Sequence, residues 1–178
     1  MKKLLFLVCF LGLAITSFGQ KMEVAIGYGT PSLYGVAESV IGGFGTLLTG
    51  SNYSTTSNGV LNVQVTRHDR EGRWRYGLEF NSEFFDTAGE LKSTTYYSIS
   101  PKVDHFWSGN QRKLRFYSGV AAGVLIRSSE TDSDSESDAF LAVNVTPIAI
   151  RYGREFGVFL APNLGVNAFL QLGLSYQF

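Results

Sequence analysis

Asn167-Ala-Phe-Leu-Gln-Leu-Gly-Leu-Ser-Tyr-Gln-Phe178 is the most regular stretch of the chain. Ala168, Leu170, Leu172, Leu174, Tyr176 and Phe178 fall on one face of an extended backbone. Asn167, Gln171, Gly173, Ser175 and Gln177 fall on the other, and Phe169 breaks that polar side. Successive side chains of a strand point to opposite faces, so this period of two describes a strand apolar on one side and small or polar on the other.

The opposite end of the chain carries an export signal. Lys2 and Lys3 precede an apolar run from Leu4 to Ile15, and Thr16, Ser17 and Gly19 supply the small residues a signal peptidase needs. Residues 1–20 are expected to be a cleaved leader and residues 21–178 one barrel domain. The leader's apolar core is shorter than the roughly 20 residues of a membrane-spanning helix. Cys9, the only cysteine, lies inside it and follows Leu7 and Val8, where a lipoprotein carries small residues. The mature chain is therefore expected to have no disulfide, thiolate or lipid anchor. Over the whole chain 15 basic residues balance 15 acidic ones. Discounting Lys2 and Lys3 leaves the remainder acidic, with no concentrated basic face for nucleic acid.

Eight stretches alternate apolar and polar residues between turn-forming segments. In Met22 to Gly29, Val24, Ile26 and Tyr28 oppose Glu23, Ala25 and Gly27. In Val60 to Arg67, Leu61, Val63 and Val65 oppose Asn62, Gln64 and Thr66. Trp74 to Phe84 sets Trp74, Tyr76, Leu78 and Phe80 against Arg75, Glu79, Asn81 and Glu83. Thr94 to Phe106, Leu114 to Arg127, Ala139 to Tyr152 and Phe156 to Val166 follow, and Asn167 to Phe178 closes the series. The phase changes by one residue at Pro147, which has no amide to donate, so a bulge is expected there.

Periodicity alone fits a soluble sandwich or a lipocalin-like barrel equally well, with the apolar face turned inward. The export signal and the distribution of aromatics favour a membrane. Trp74, Tyr76, Phe106, Trp107, Phe116, Tyr152, Phe156, Tyr176 and Phe178 gather at the strand ends nearest the short connections, as in an interfacial girdle. The expected architecture is all-β: an eight-stranded antiparallel up-and-down transmembrane β-barrel with a short helix in the first extracellular loop. Short connections at His68 to Arg73, Ser108 to Lys113 and Gly153 to Glu155 are assigned to the periplasm. Longer ones at Thr30 to Asn58, Asp86 to Ser93 and Ser128 to Asp138 are assigned to the exterior, and Leu164 to Asn167 is read as tight.

An eight-stranded lumen is just wide enough for side chains to fill. The inward charges Glu23, Arg75, Glu79, Glu83, Lys102, Asp104, Arg115 and Arg151 are of mixed sign and are expected to pair, since an unpaired buried ion costs several kcal/mol. In the first loop Leu33, Val36, Val40, Ile41 and Phe44 recur at helical spacing after Thr30 and Pro31, which look like a helix start. That helix is read as packing on the rim, lying in the outer leaflet or acting as a lid. Asp132, Asp134, Glu136 and Asp138 are weak candidates for a divalent cation, because the glycine and distal glutamate of a calcium loop are missing; a solvated acidic loop is the simpler reading. His68 and His105 are placed in periplasmic turns, without a serine partner at the outer rim. No catalytic residue and no cofactor is expected.

Gly27-Tyr-Gly29, Tyr117-Ser-Gly-Val-Ala-Ala-Gly123, Val145-Thr-Pro-Ile148 and Leu174-Ser-Tyr-Gln-Phe178 resemble the small outer-membrane β-barrels of the OmpA-barrel and OmpX type, and uncharacterised Bacteroidetes members in particular. The resemblance covers the whole mature chain. It implies an outer-membrane monomer, contact with outer-membrane lipid, and a C-terminal signal at Leu174, Tyr176 and Phe178 that the barrel-insertion machinery reads during assembly. It implies a structural or cell-surface role through the extracellular loops, with an extracellular ligand not identified. The alternative is a lipid or hydrophobic-ligand barrel using the loop-one helix as its lid.

Overall fold

The computed structural model describes residues 21–37, 39–40, 54–88, 91–108, 112–131 and 135–178. The expected leader lies outside these residues, as do Ile41, Phe44, Asp132 and Asp134. The strands are β1 (Met22–Gly29), β2 (Ser54–His68), β3 (Trp74–Ala88), β4 (Leu91–Phe106), β5 (Leu114–Thr131), β6 (Ser135–Gly153), β7 (Phe156–Pro162), β8 (Leu164–Gly165) and β9 (Leu170–Gln177). β7 and β8 both pair with β6 and are two pieces of one stave. Every pairing is antiparallel, each stave lies beside the next, and β9 pairs with β1, so eight staves close into an up-and-down barrel.

Burial decides what periodicity left open. Along β1 the exposed positions are Val24, Ile26 and Tyr28, whereas Glu23 is wholly buried and Ala25 is 3 % exposed. The same alternation runs through β2, β3, β5 and β9, with Arg75, Glu79, Arg115 and Gln171 inside and Leu78, Phe80, Val120 and Leu172 outside. A soluble barrel has the reverse polarity. An apolar outer wall around a polar interior is stable only where lipid covers the wall.

Register shifts interrupt the pairing at three places, one of them at the outer end of β4 between Leu91 and Ser93. β6 carries an extra residue at Pro147–Ile148 opposite Ser118, as the phase change predicts, and Ser118 Oγ donates to the freed Pro147 carbonyl at 2.6 Å. A second, unanticipated bulge at Asn58–Gly59 shifts the register of β2 against β3, and Gly59 takes φ +95°, a conformation costly for a residue with a Cβ.

Five strand ends lie farther out than the alternation indicated. β2 begins at Ser54, β3 continues to Ala88, β4 begins at Leu91, β5 reaches Thr131 and β6 begins at Ser135. The segments Asp86 to Ser93 and Ser128 to Asp138, expected as loops, are therefore mostly paired strand, with Glu130 opposite Ser135 and Arg127 opposite Asp138. The sequence of these ends shows no period-two contrast, yet backbone pairing continues. The expectation that like charges leave Ser128 to Asp138 as a solvated loop is corrected accordingly. At the last outer connection β9 starts only at Leu170; Ala168 is wholly buried and Phe169 is half exposed, so the two exchange the sides the alternation assigned them. The chain bends through residues 166–169, which resets the phase.

Asn163 repairs the stave that Pro162 breaks. Its Nδ2 donates to the carbonyls of Ala161 at 3.1 Å and Ala168 at 3.0 Å, and its Oδ1 accepts from Thr146 Oγ1 at 2.6 Å. Asn144 Nδ2 also donates to that Oδ1, at 3.3 Å. Asn163→Ala removes all four contacts and is expected to cost about 1–3 kcal/mol; urea titration of the folded barrel in detergent measures it.

Candidate functional site

Glu23 is the node of the lumen at its short-turn end. Four donors from four staves converge on its carboxylate: His68 Nε2 at 2.7 Å from β2, Arg75 Nη1 at 2.9 Å from β3, Arg151 Nε at 3.2 Å from β6 and Gln177 Nε2 at 2.7 Å from β9. A carboxylate only accepts, so His68 carries its proton on Nε2. Register explains the convergence. His68 opposes Arg75, Arg75 opposes Asp104 and Glu23 opposes Gln177, while Glu23 itself opposes Thr66, so pairing forms two short rows and the stagger between them sets Glu23 diagonally beside His68 and Arg75. Arg75 Nε also binds Asp104 Oδ2 at 2.8 Å.

Arg115 and Arg151 face each other directly across β5 and β6, a like-charge pair that is unfavourable unless each finds other partners. Arg151 crosses the lumen to Glu23 and also reaches Ser175 Oγ and the carbonyls of Gly153 and Arg154, each at 3.0 Å. Arg115 donates to the Gly72 carbonyl and lies 3.7 Å over the ring of Phe106. Phe106 also packs on Tyr117 and His68, with ring centroids at 5.0 and 5.6 Å. Phe106 was expected in the outer girdle; it is wholly buried and floors the lumen, because β4 keeps its phase to the last residue and 106 follows 100, 102 and 104 inward.

From this cluster a chain of polar contacts climbs the barrel. Lys102 Nζ lies 3.3 Å from Asp104 and 3.5 Å from Glu79, and donates to Gln64 Oε1 at 3.0 Å. Gln64 donates to Asn62 at 2.7 Å, Asn62 to Asn81 at 2.6 Å, and Asn81 to Ser98 at 3.0 Å. Above it Phe85, Tyr96, Leu125 and Val166 form an apolar layer.

Glu83 stands apart from the ion pairs. Its carboxylate accepts from the amide of Ser32 at 3.2 Å, the hydroxyl of Ser32 at 2.5 Å and the hydroxyl of Ser57 at 2.5 Å. Ser32 precedes the helix α1, described over residues 33–37 and 39–40, and its Oγ accepts from the Gly35 amide at 3.0 Å. Ser32 is thus the N-cap, two residues after the Thr30 start that the sequence suggested. Thr30 and Pro31 instead tie the chain to the last outer turn: Thr30 Oγ1 accepts from the Leu170 amide at 3.0 Å, and the Pro31 carbonyl accepts from Phe169 at 3.2 Å. Gly35 sits against Glu83 so closely that a Cβ there would lie 2.1 Å from Oε1. Beneath the helix the enclosed void lined by Ser32, Tyr34, Glu83, Tyr96 and Leu125 is about 10 Å3, about the least that admits one water.

No family model matches the chain, and no curated protein matches it. Solved structures match it in shape. The N-terminal β-barrel domain of Pseudomonas aeruginosa OprF superposes with a TM-score of 0.55 at 7 % identity, over 89 % of this chain and 97 % of that one. Neisserial surface protein A gives 0.53 at 9 % identity over 90 % and 95 %, and Ail, the attachment invasion locus protein of Yersinia pestis, gives 0.50 at 12 % over 90 % and 100 %. The fold is that of a small outer-membrane β-barrel.

Within this barrel the inward acids Glu23, Glu79, Glu83 and Asp104 and the inward bases Arg75, Lys102, Arg115 and Arg151 are all buried. His68 belongs with them. It is wholly buried in the lumen rather than lying in a turn, because β2 runs one residue past Arg67 and position 68 keeps the inward phase of 62, 64 and 66. His105 packs on Trp74 with centroids 4.7 Å apart at the short-turn end. Leu174, Tyr176 and Phe178 face outward at 45, 53 and 61 % exposure. Among the described residues no cluster of three metal-ligating side chains occurs. Of the weak cation candidates, Glu136 lies on β6 opposite Ser129 and Asp138 lies on β6 opposite Arg127.

Proposed function

We propose that this protein is a closed, non-conducting outer-membrane scaffold that works through the surface it presents outside the cell. The observation that carries this reading is the unequal height of the wall. β1 ends at Gly29 and β9 begins at Leu170, while β2 to β6 continue outward as paired hairpins. A wall extended past the apolar band gives a polar, hydrogen-bonded platform, and the crossing polar contacts below it favour a filled lumen over a transport path. The short connections face the periplasm, the hairpins face outside, and residues 1–20 serve as the export leader. The barrel acts as a monomer that the insertion machinery assembles through Leu174, Tyr176 and Phe178. Its role is interaction rather than catalysis, in line with the surface and attachment descriptions carried by two of its structural neighbours.

Two measurements test this. Planar-bilayer recording is expected to show no steady conductance; a stable ion-selective current overturns the filled lumen. Trimming residues 86–93 and 128–138 to tight turns should leave the heat-dependent gel shift of a folded barrel intact and reduce adhesion of producing cells to protein-coated surfaces. Unchanged adhesion by the folded, trimmed barrel overturns the surface role.

A further inference from the structure

Helix α1 is amphipathic in the reverse sense to a helix packed on a soluble core. Its small and polar residues Ser32 and Gly35 are buried against Glu83, and Ser39, half-buried in the same stripe, donates back to the Gly35 carbonyl at 2.8 Å. Leu33, Val36 and Val40, one stripe at helical spacing, are 42, 45 and 50 % exposed. A helix that lay over the mouth in water would place those residues on Phe85, Tyr96 and Leu125 and leave the serines wet. Instead α1 follows the rule of the staves, polar inward and apolar outward.

Its level in the wall matches. The run from Met22 to Ser32, at about 3.3 Å per residue and a tilt of about 40°, rises roughly 25 Å, which matches the apolar band of about 25 Å in such barrels. The helix therefore begins where the band ends on the low side of the wall. Below it Ile26, Tyr28, Leu61 and Leu172 line a shallow apolar groove on the outer surface, which carries the lipid-facing band up toward the foot of the helix. On the other flank Tyr34 Oη donates to the carbonyl of Leu141, whose side chain is 70 % exposed in the outward row of β6.

We propose that α1 is an interfacial element of the membrane wall, with Leu33, Val36 and Val40 seated among the lipids of the outer leaflet. The inference needs only that the barrel spans a membrane and does not depend on the surface role above. Lipid is the occupant because the stripe continues the lipid-covered face. Held by Ser32 to Glu83 and by Tyr34 to β6, the helix fills the notch above the short staves and keeps outer-leaflet lipid from the lumen.

Nitroxide labels test this in the barrel reconstituted into phospholipid vesicles, with Cys9 replaced by Ser. Val36→Cys and Val40→Cys are compared with Leu172→Cys in the apolar band and Arg70→Cys in a turn, each checked for the heat-dependent gel shift. Both helix labels are expected to favour collision with oxygen over a water-soluble nickel chelate, shifted to the Leu172 side of the two controls. Ratios matching Arg70 overturn the proposal in favour of a solvent-exposed helix. Low collision with both reagents overturns it in favour of a protein partner or a second copy covering the stripe.

Discussion

Glu23→Gln is expected to lower the stability of the folded barrel by about 3–5 kcal/mol, the usual cost of removing one partner from a buried charge cluster. The side chain is wholly buried and binds Arg75 and Arg151, so neutralising it leaves two guanidinium groups short of a counter-charge. The amide also places an NH2 against donors on four staves. Urea unfolding in detergent, followed by the loss of the compact gel species, reads the change. The double variant Glu23→Gln with Arg151→Met removes one of the stranded cations and is expected to be more stable than the sum of the two single changes. Strict additivity would mean that Arg151 is held by Ser175 and the Gly153 and Arg154 carbonyls alone, and that Glu23 is no node.

Phe106→Ala is expected to cost about 3–5 kcal/mol through the cavity it leaves and the surface it removes from beneath Arg115. Its neighbour Trp107 is 56 % exposed on the outer wall, and Trp107→Ala measured in detergent should change stability by about 1 kcal/mol or less. The two residues are adjacent aromatics at the same strand end, so the contrast isolates orientation from chemistry. Equal losses would place Phe106 in the girdle after all.

Much of the inside and outside of this barrel was legible in the chain. The phase of β1, β3 and β5 assigns Glu23, Arg75, Glu79 and Arg115 to the lumen, and the phase break at Pro147 locates its bulge, because one buried side and one lipid-facing side give each strand strong contrast. Where that contrast fades the reading stopped short. Ser54 to Ser57, Ser93 and Ser135 are strand by pairing, not by pattern. His68 is missed because the pattern ends that strand one residue short, at Arg67; Phe106 is missed because its aromatic ring is read as girdle although the phase of Lys102 and Asp104 already carries it inward.

By itself, the sequence determined a period-two chain with eight staves, an apolar side and a charged side. Alternation by itself does not say which side faces inward, being the same whether a barrel sits in water or in lipid; it is the export signal and the placing of the aromatics that point to charges inside. Only the closed tertiary structure decides that, by burying the charged side in the lumen. Partner choice is likewise tertiary. Glu23 meets Arg151 from 128 positions away because closure through β9 and β7 brings β1 within three staves of β6, and Arg151 reaches across over Gly157. Glu83 receives Ser32 rather than a cation because the helix cap arrives above it. Strand phase is a local property set by backbone geometry, whereas the pairing of buried charges depends on shear, closure and loop docking, which no window of sequence contains.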